Sequence, residues 1–211
     1  MSATTVKETG VKTTNDKTPK IMSTQLMLSG HNFIMAEQFA NELDENTPAN
    51  LRVTIDSAKT ILVPQSLYEP SMAEGYLSLN DKRVEREECI VTAQKADIVA
   101  LMVIDQRIAR ALKNDKWKVT YSSPLLEGVV SYAKCVRINT TEQNTYITIS
   151  NNGKLQYAEA FATTQIDNIL FIVENLHEAL SIKGYEVRVS GPDAESVAEA
   201  MKGRFKVCKV V

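Results

Sequence analysis

The sequence is poor in the residues that build metal and redox centres, with 3 Cys and 2 His in 211 residues. Cys89, Cys135 and Cys208 follow no metal-ligand or redox spacing, and an odd number cannot all pair. Reduced thiols in a cytosolic compartment are the simple reading. His31 and His177 lie far apart in the chain, which excludes a histidine-rich metal site. Neither sign of charge dominates: 24 Lys plus Arg face 26 Asp plus Glu, a net charge of −2. A chain so balanced lacks the basic footprint for wrapping nucleic acid. Long apolar runs are missing too. No segment nears the roughly 18–20 residues that span a bilayer. Residues 1–20, rich in Thr and Lys, lack the apolar stretch of a secretory signal. This tail has too little apolar surface to offset its ordering entropy, so it is expected to be disordered. The protein is expected in the cytoplasm.

What is present suits a globular α/β protein. Apolar residues are 44% of the chain and charged residues 24%, enough to bury a sizeable core. Residues 23–28 and 33–35 are apolar runs around Ser29-Gly30-His31-Asn32, which predicts an opening hairpin. Leu51, Val53 and Ile55 alternate as one face of a strand, and 60–63 form a second strand stopped by Pro64. A short helix is expected to start on Pro64. The mixed-charge run 81–88 predicts a solvated connection. Residues 88–93 and 97–103 read as paired strands, the second buried on both faces. Asp105 then caps a helix.

Residues 117–122 predict a strand, with Ser123-Pro124 opening a helix whose stripe runs from Leu125 to Ala133. In the last third, 145–150 and 154–161 make a hairpin around Asn151-Asn152-Gly153. Thr164 is expected to cap a helix that Gly184 ends. A strand at 185–190, a helix at 193–202 and a closing strand complete the chain. Strands alternating with helices after an opening hairpin predict two α/β units side by side. The stretches 24–33 and 145–155 hint at an internal repeat of strand and Gly-bearing turn.

These patterns carry a resemblance. The opening hairpin, TILVP at 60–64 followed by Tyr68, YLSLN at 76–80, and the order TYITIS, NNG, KLQYAEAF, helix, YEVRVSG look like an uncharacterised bacterial family. That family, a domain of unknown function, has a degenerate actin-like or Hsp70-like ATPase fold. The resemblance covers about residues 22–211 and implies two ribonuclease-H-like subdomains of mixed sheets flanked by helices. They are placed at 21–140 and 141–211. Active members of the superfamily hold ATP through two Asp-x-Gly turns, one per subdomain, with a Gly-rich turn for the adenosine. Mapped by this resemblance, the first turn is Leu28-Ser29-Gly30 and the second Asn151-Asn152-Gly153. The third is Val189-Ser190-Gly191-Pro192. Leu28 and Asn151 stand where carboxylates are expected, so neither supplies charge for Mg²⁺ or a base. Gly30, Asn151, Asn152, Gly153, Ser190 and Gly191 are the residual nucleotide-binding candidates. No catalytic or metal-ligating residue is assigned, and ATP–Mg²⁺ is the one cofactor the resemblance suggests.

A rival placement starts from Asp56-Ser57-Ala58-Lys59-Thr60, which resembles a phosphate turn with Ala where Gly belongs. Asn-Gly turns and Ser-Gly-Pro turns also arise for purely structural reasons. His177, beside Glu174 and Glu178, reads as a surface histidine; His31 has no acidic or Cys partner in sequence. A ribonuclease-type centre needs several converging carboxylates, and only Asp56 and Glu159 lie near the relevant strands. Two functions stay open. The first is a non-catalytic, pseudo-ATPase-like interaction or scaffold protein that binds a protein partner or a second copy of itself. The second is an ATPase or small-molecule kinase drawing on Asp56, Asp105 or Asp167.

Overall fold

The computed structural model describes residues 22–43, 46–129, 134–205 and 207–211, the side chains of 207–209 excepted. The expected tail therefore lies outside the described residues. The chain enters through strand β1 (Met22–Ser29), helix α1 (Phe33–Glu42), β2 (Ala49–Asp56) and β3 (Thr60–Pro64). Helix α2 (Ala73–Ser78), β4 (Glu88–Lys95), β5 (Ile98–Asp105), α3 (Gln106–Ala111), β6 (Trp117–Ser122) and α4 (Pro124–Glu127) follow. Then come β7 (Lys134–Thr140), β8 (Thr145–Asn151), β9 (Lys154–Phe161), α5 (Ile166–Leu180), β10 (Glu186–Ser190), α6 (Ala194–Met201) and β11 (Val207–Val210).

Three sheets organise these elements. The order β1-β2-β6 is wholly parallel, β3-β5-β4 is antiparallel, and the third sheet runs β11-β10-β7-β8-β9. The first two share one core. Leu51, Val53 and Ile55 of β2 meet Ala100, Met102 and Ile104 of β5, with Ala36 of α1 and Ile108 of α3. The opposite face of β5 puts Val99, Leu101 and Val103 against Ile61, Val63 and Leu77. Strand β5 is thus buried on both faces, as its unbroken apolar run predicts. In the third sheet, β7, β8 and β9 are antiparallel, and β10 and β11 run parallel to β7. Helices α5 and α6 make the crossovers and bring Ile169, Val173, Val197 and Met201 onto one sheet face. Mixed sheets flanked by helices are the architecture the sequence predicts.

Several local expectations need correction. The opening hairpin is absent: β1 is followed by α1. Gly30 is held at the sheet edges, its N–H donating to Asp56 O at 2.8 Å while its carbonyl accepts from Asp105 N at 2.8 Å. Beyond it, Phe33, Ala36 and Ala40 recur at helical spacing and pack on the core, leaving Ile34 and Met35 exposed. Pro64 ends β3 and leads into 3₁₀ turns in place of one continuous helix. Two 3₁₀ turns at Gln65–Leu67 and Pro70–Met72 come next, tied down by Tyr76, whose hydroxyl donates to Leu67 O at 2.6 Å. Ser123 does cap α4, accepting from Leu126 N at 3.0 Å, but α4 stops at Glu127. Of the rest of its expected stripe, Val129 lies past the helix end, and Val130 and Ala133 are outside the described residues. Helix α5 has Gln165, one residue past Thr164, at its N-cap position without a side-chain capping bond, and ends on a left-handed Ser181 before reaching Gly184.

Strand β7 was not anticipated at all. It takes the centre of the third sheet, between β10 and β8.

Candidate functional site

The two halves meet at turns that follow strand ends. From the first comes Asp56-Ser57-Ala58-Lys59 between β2 and β3; from the second, Thr141 to Asn144 between β7 and β8. The first turn is set by Ser57, whose hydroxyl donates to Val103 O at 2.9 Å and accepts from Lys59 N at 3.2 Å. Thr60 Oγ1 donates back to Ser57 O at 2.7 Å. The second closes on itself, with Thr141 N donating to Asn144 O at 2.9 Å and Asn144 N to Thr141 Oγ1 at 3.0 Å.

The turns are bonded to each other. Asp56, 6% exposed, accepts through Oδ1 from Asn144 Nδ2 at 2.7 Å and from Tyr146 OH at 2.7 Å. Burial first, and the Asp56 carboxylate second, push the Tyr146 phenol far above its ordinary pKa, so it stays a proton donor. Ser29 Oγ donates to Gln143 Oε1 at 3.3 Å beside this pair. On the other flank, Lys82 Nζ donates to Ala58 O at 2.7 Å and Ala160 O at 3.1 Å, spanning both halves. Burial lowers the Lys82 pKa, with the Glu159 charge working against it. Leu125, Tyr146 and Ala160 pack with Leu62 and Ala158 between these polar contacts.

The structure brings together some of the candidate residues. Gly30 sits against the first turn: a Cβ there would lie 3.0 Å from Ser57 Cβ and 3.2 Å from Val103 O. Ser190 ends β10 and Gly191 follows it, both beside the end of β7, where Ser190 Oγ donates to Asn139 Oδ1 at 3.1 Å. Gly191 has φ +107°, and a Cβ would fall 1.9 Å from Thr140 O. Gly30 and Gly191 therefore each allow a close approach of protein to protein. Asn151, Asn152 and Gly153 are at the opposite end of β8, about 20 Å of strand away from Thr145. Asn152 (φ 51°) and Gly153 (φ 75°) turn the β8–β9 hairpin there, and Asn151 pairs with Lys134. The turn that faces the first half is Thr141–Asn144 instead. The sequence pattern does not point to Asn144 and Tyr146, because β7 is too weakly marked to show that a turn precedes β8.

The other candidates have partners of their own. Asp105 caps α3, its Oδ1 accepting from Arg107 N at 2.8 Å while its carboxylate also accepts from Arg107 Nε at 3.0 and 3.1 Å. These hydrogen bonds hold Asp105 below the usual carboxylate range, although burial works to raise it. Asp105→Ala is expected to cost about 1 kcal/mol at neutral pH as a lost cap. Because the folded pKa is depressed, this contribution is fully present above the unfolded value near 3.9 and is lost as pH falls through the folded one. Urea unfolding of wild type and Asp105→Ala at pH 7 and pH 3 should show the gap narrowing at pH 3.

His31, expected to have no acidic partner, has Nδ1 3.7 Å from Glu88 Oε1. Lys59 also holds Glu88, at 2.7 Å. His177 has a buried Nδ1 without a hydrogen-bond partner and meets Phe205 edge-on at 6.0 Å, while Glu174 pairs with Arg204. Glu159 accepts from Tyr157 OH at 2.5 Å, and Asp167 lies in the first turn of α5. Burial pushes the Cys89 and Cys135 thiols up. Among the described residues no three His, Cys, Asp or Glu are grouped to hold a metal ion. None of the described helices is long and apolar enough to cross a membrane.

Mixed sheets flanked by helices in this arrangement are similar to the actin-like ATPase fold. A Bacteroides thetaiotaomicron protein with actin-like ATPase fold and unknown function aligns over 85% of this chain and 76% of its own, with TM-score 0.69 and 15% identity. The chain belongs to the family of proteins of unknown function DUF3822, whose model matches residues 23–191. Other similar structures are the PilM–PilN type IV pilus biogenesis complex (TM-score 0.49, 12% identity, 85% of this chain and 74% of that one). The cytoplasmic domain of EpsL from Vibrio cholerae is another, with TM-score 0.40, 11% identity, 76% of this chain and 68% of that one. No curated protein matches the sequence.

Proposed function

We propose that this chain is a non-catalytic, actin-like-fold interaction protein of the cytoplasm whose nucleotide site has been given over to contacts between its own two units. One observation carries the reading: the buried Asp56 carboxylate is already bonded to Asn144 and Tyr146 of the opposite unit. A carboxylate that is to order Mg²⁺ or water must face open space. Gly30 and Gly191 add to this, since each is packed against protein where a phosphate would have to approach. Units joined this way present one fixed surface to a protein partner or a second copy.

The enzyme reading has one observation in its favour. Asp56 and Asp105 flank Gly30 through backbone hydrogen bonds, so two carboxylate-bearing strand ends meet there. Against it, Arg107 takes up the Asp105 carboxylate. The test is ATP–Mg²⁺ itself. The proposal expects neither stabilisation nor turnover above background, and turnover abolished by Asp56→Asn would establish the enzyme.

A further inference from the structure

The parallel sheet β1-β2-β6 buries one face in the core, while the described residues leave most of the other exposed, with Thr54 and Ser122 covered at one end. Parallel sheets are ordinarily covered on both faces, so this one offers a prepared docking surface. A groove of about 910 Å³ lies over it. Its floor can be read from the strand registers. One row across the sheet is Ser23, Asn50 and Lys118; the next is Gln25, Arg52 and Thr120; the third is Met27, Thr54 and Ser122. No carboxylate occurs in these rows. Lys95 and Glu127 stand at the wall, and the single carboxylate of Glu127 is shared between Arg52, at 2.5 Å, and Lys95, at 3.7 Å. Three cations against one carboxylate leave the groove positively charged on a chain whose net charge is −2.

Spacing narrows the occupant. Arg52 and Lys118 are on adjacent strands two residues out of register, about 8 Å apart by strand separation and rise. Alternate residues of an extended segment lie about 7 Å apart on one face. The chain's own first residues carry Lys7, Lys12, Lys17 and Lys20 against Glu8 and Asp16, the same sign as the groove. We infer that the outer face of β1-β2-β6 binds an extended acidic segment of a partner protein, with carboxylates at alternate positions meeting Arg52 and Lys118. The uncharged edge strand β1, MSTQLMLS, lies alongside and sets no like or opposing charge in the way.

This inference rests on the reading of the chain as an interaction protein, but its test does not involve nucleotide. A fluorescent decapeptide of alternating Glu and Ser is titrated with the full chain by anisotropy, beside a decapeptide of alternating Lys and Ser. Binding of the acidic peptide alone is expected, weakened at least tenfold in the Asn50→Glu/Lys118→Glu variant. Both positions are exposed, so the variant should unfold at the wild-type temperature. Lys183→Glu, on the other unit, should leave the affinity unchanged. The inference is overturned if the acidic peptide does not bind, or if Lys183→Glu weakens it equally. It is also overturned if light scattering shows a dimer that the double variant dissolves, since the occupant would then be a second copy.

Discussion

Replacing Gly191 with alanine should destabilise the protein by about 3–5 kcal/mol, the sum of a backbone conformation reserved for glycine and an overpacked contact. Its φ of +107° and a Cβ position 1.9 Å from Thr140 O leave no small adjustment that relieves both. At roughly 2–4 °C per kcal/mol for a chain of this size, the unfolding midpoint should fall by about 6–20 °C. Gly184→Ala is the matched control. Gly184 also has positive φ, at +81°, but nothing lies within 4 Å of its Cβ position, so about 1 kcal/mol is expected. Equal losses in the two variants would show that the approach of β10 to β7 at Thr140 is not tight.

The second large effect is expected at Asp56. Asp56→Ala strands a buried amide and a buried phenol without their acceptor, a loss of about 3 kcal/mol. Tyr146→Phe removes one donor and leaves Asp56 bonded to Asn144, so about 1 kcal/mol is expected. The double variant should be no less stable than Asp56→Ala alone, because the phenol no longer needs a partner. That non-additivity in denaturant unfolding is the signature of a direct bond between the units. Simple additivity would mean that Asp56 and Tyr146 act separately.

Much of the fold could be read from periodicity and turn chemistry. The burial of β5 on both faces follows from an apolar run too long to alternate, and Asp105 as a cap from a carboxylate at the end of that run. The β8–β9 hairpin follows from Asn152-Gly153, residues that accept positive φ. Residues 33–36 misled because Phe33, Ile34 and Met35 are consecutive apolar residues that fit either period; tertiary packing of Phe33 and Ala36 chose the helix. Strand β7 is hard to read because Val136 and Ile138 alternate with Arg137 and Asn139 over too few residues to stand out after an apolar stripe. Without β7, the pattern gives no sign of the Thr141–Asn144 turn that meets Asp56. The partnership of Asp56 with Asn144 and Tyr146 joins residues 88 and 90 positions apart, and no local spacing encodes it.

Thermal unfolding of the wild-type chain with and without millimolar ATP–Mg²⁺ tests the central claim most directly. Ligand at 100 times its dissociation constant would add about 2.7 kcal/mol, a rise of roughly 5–10 °C in the midpoint. If the turns are committed to each other through Asp56, the two melting curves should coincide. A rise of that size, lost in Asp56→Asn, would mean that Asp56 leaves Asn144 and Tyr146 to receive a nucleotide, and would contradict the account.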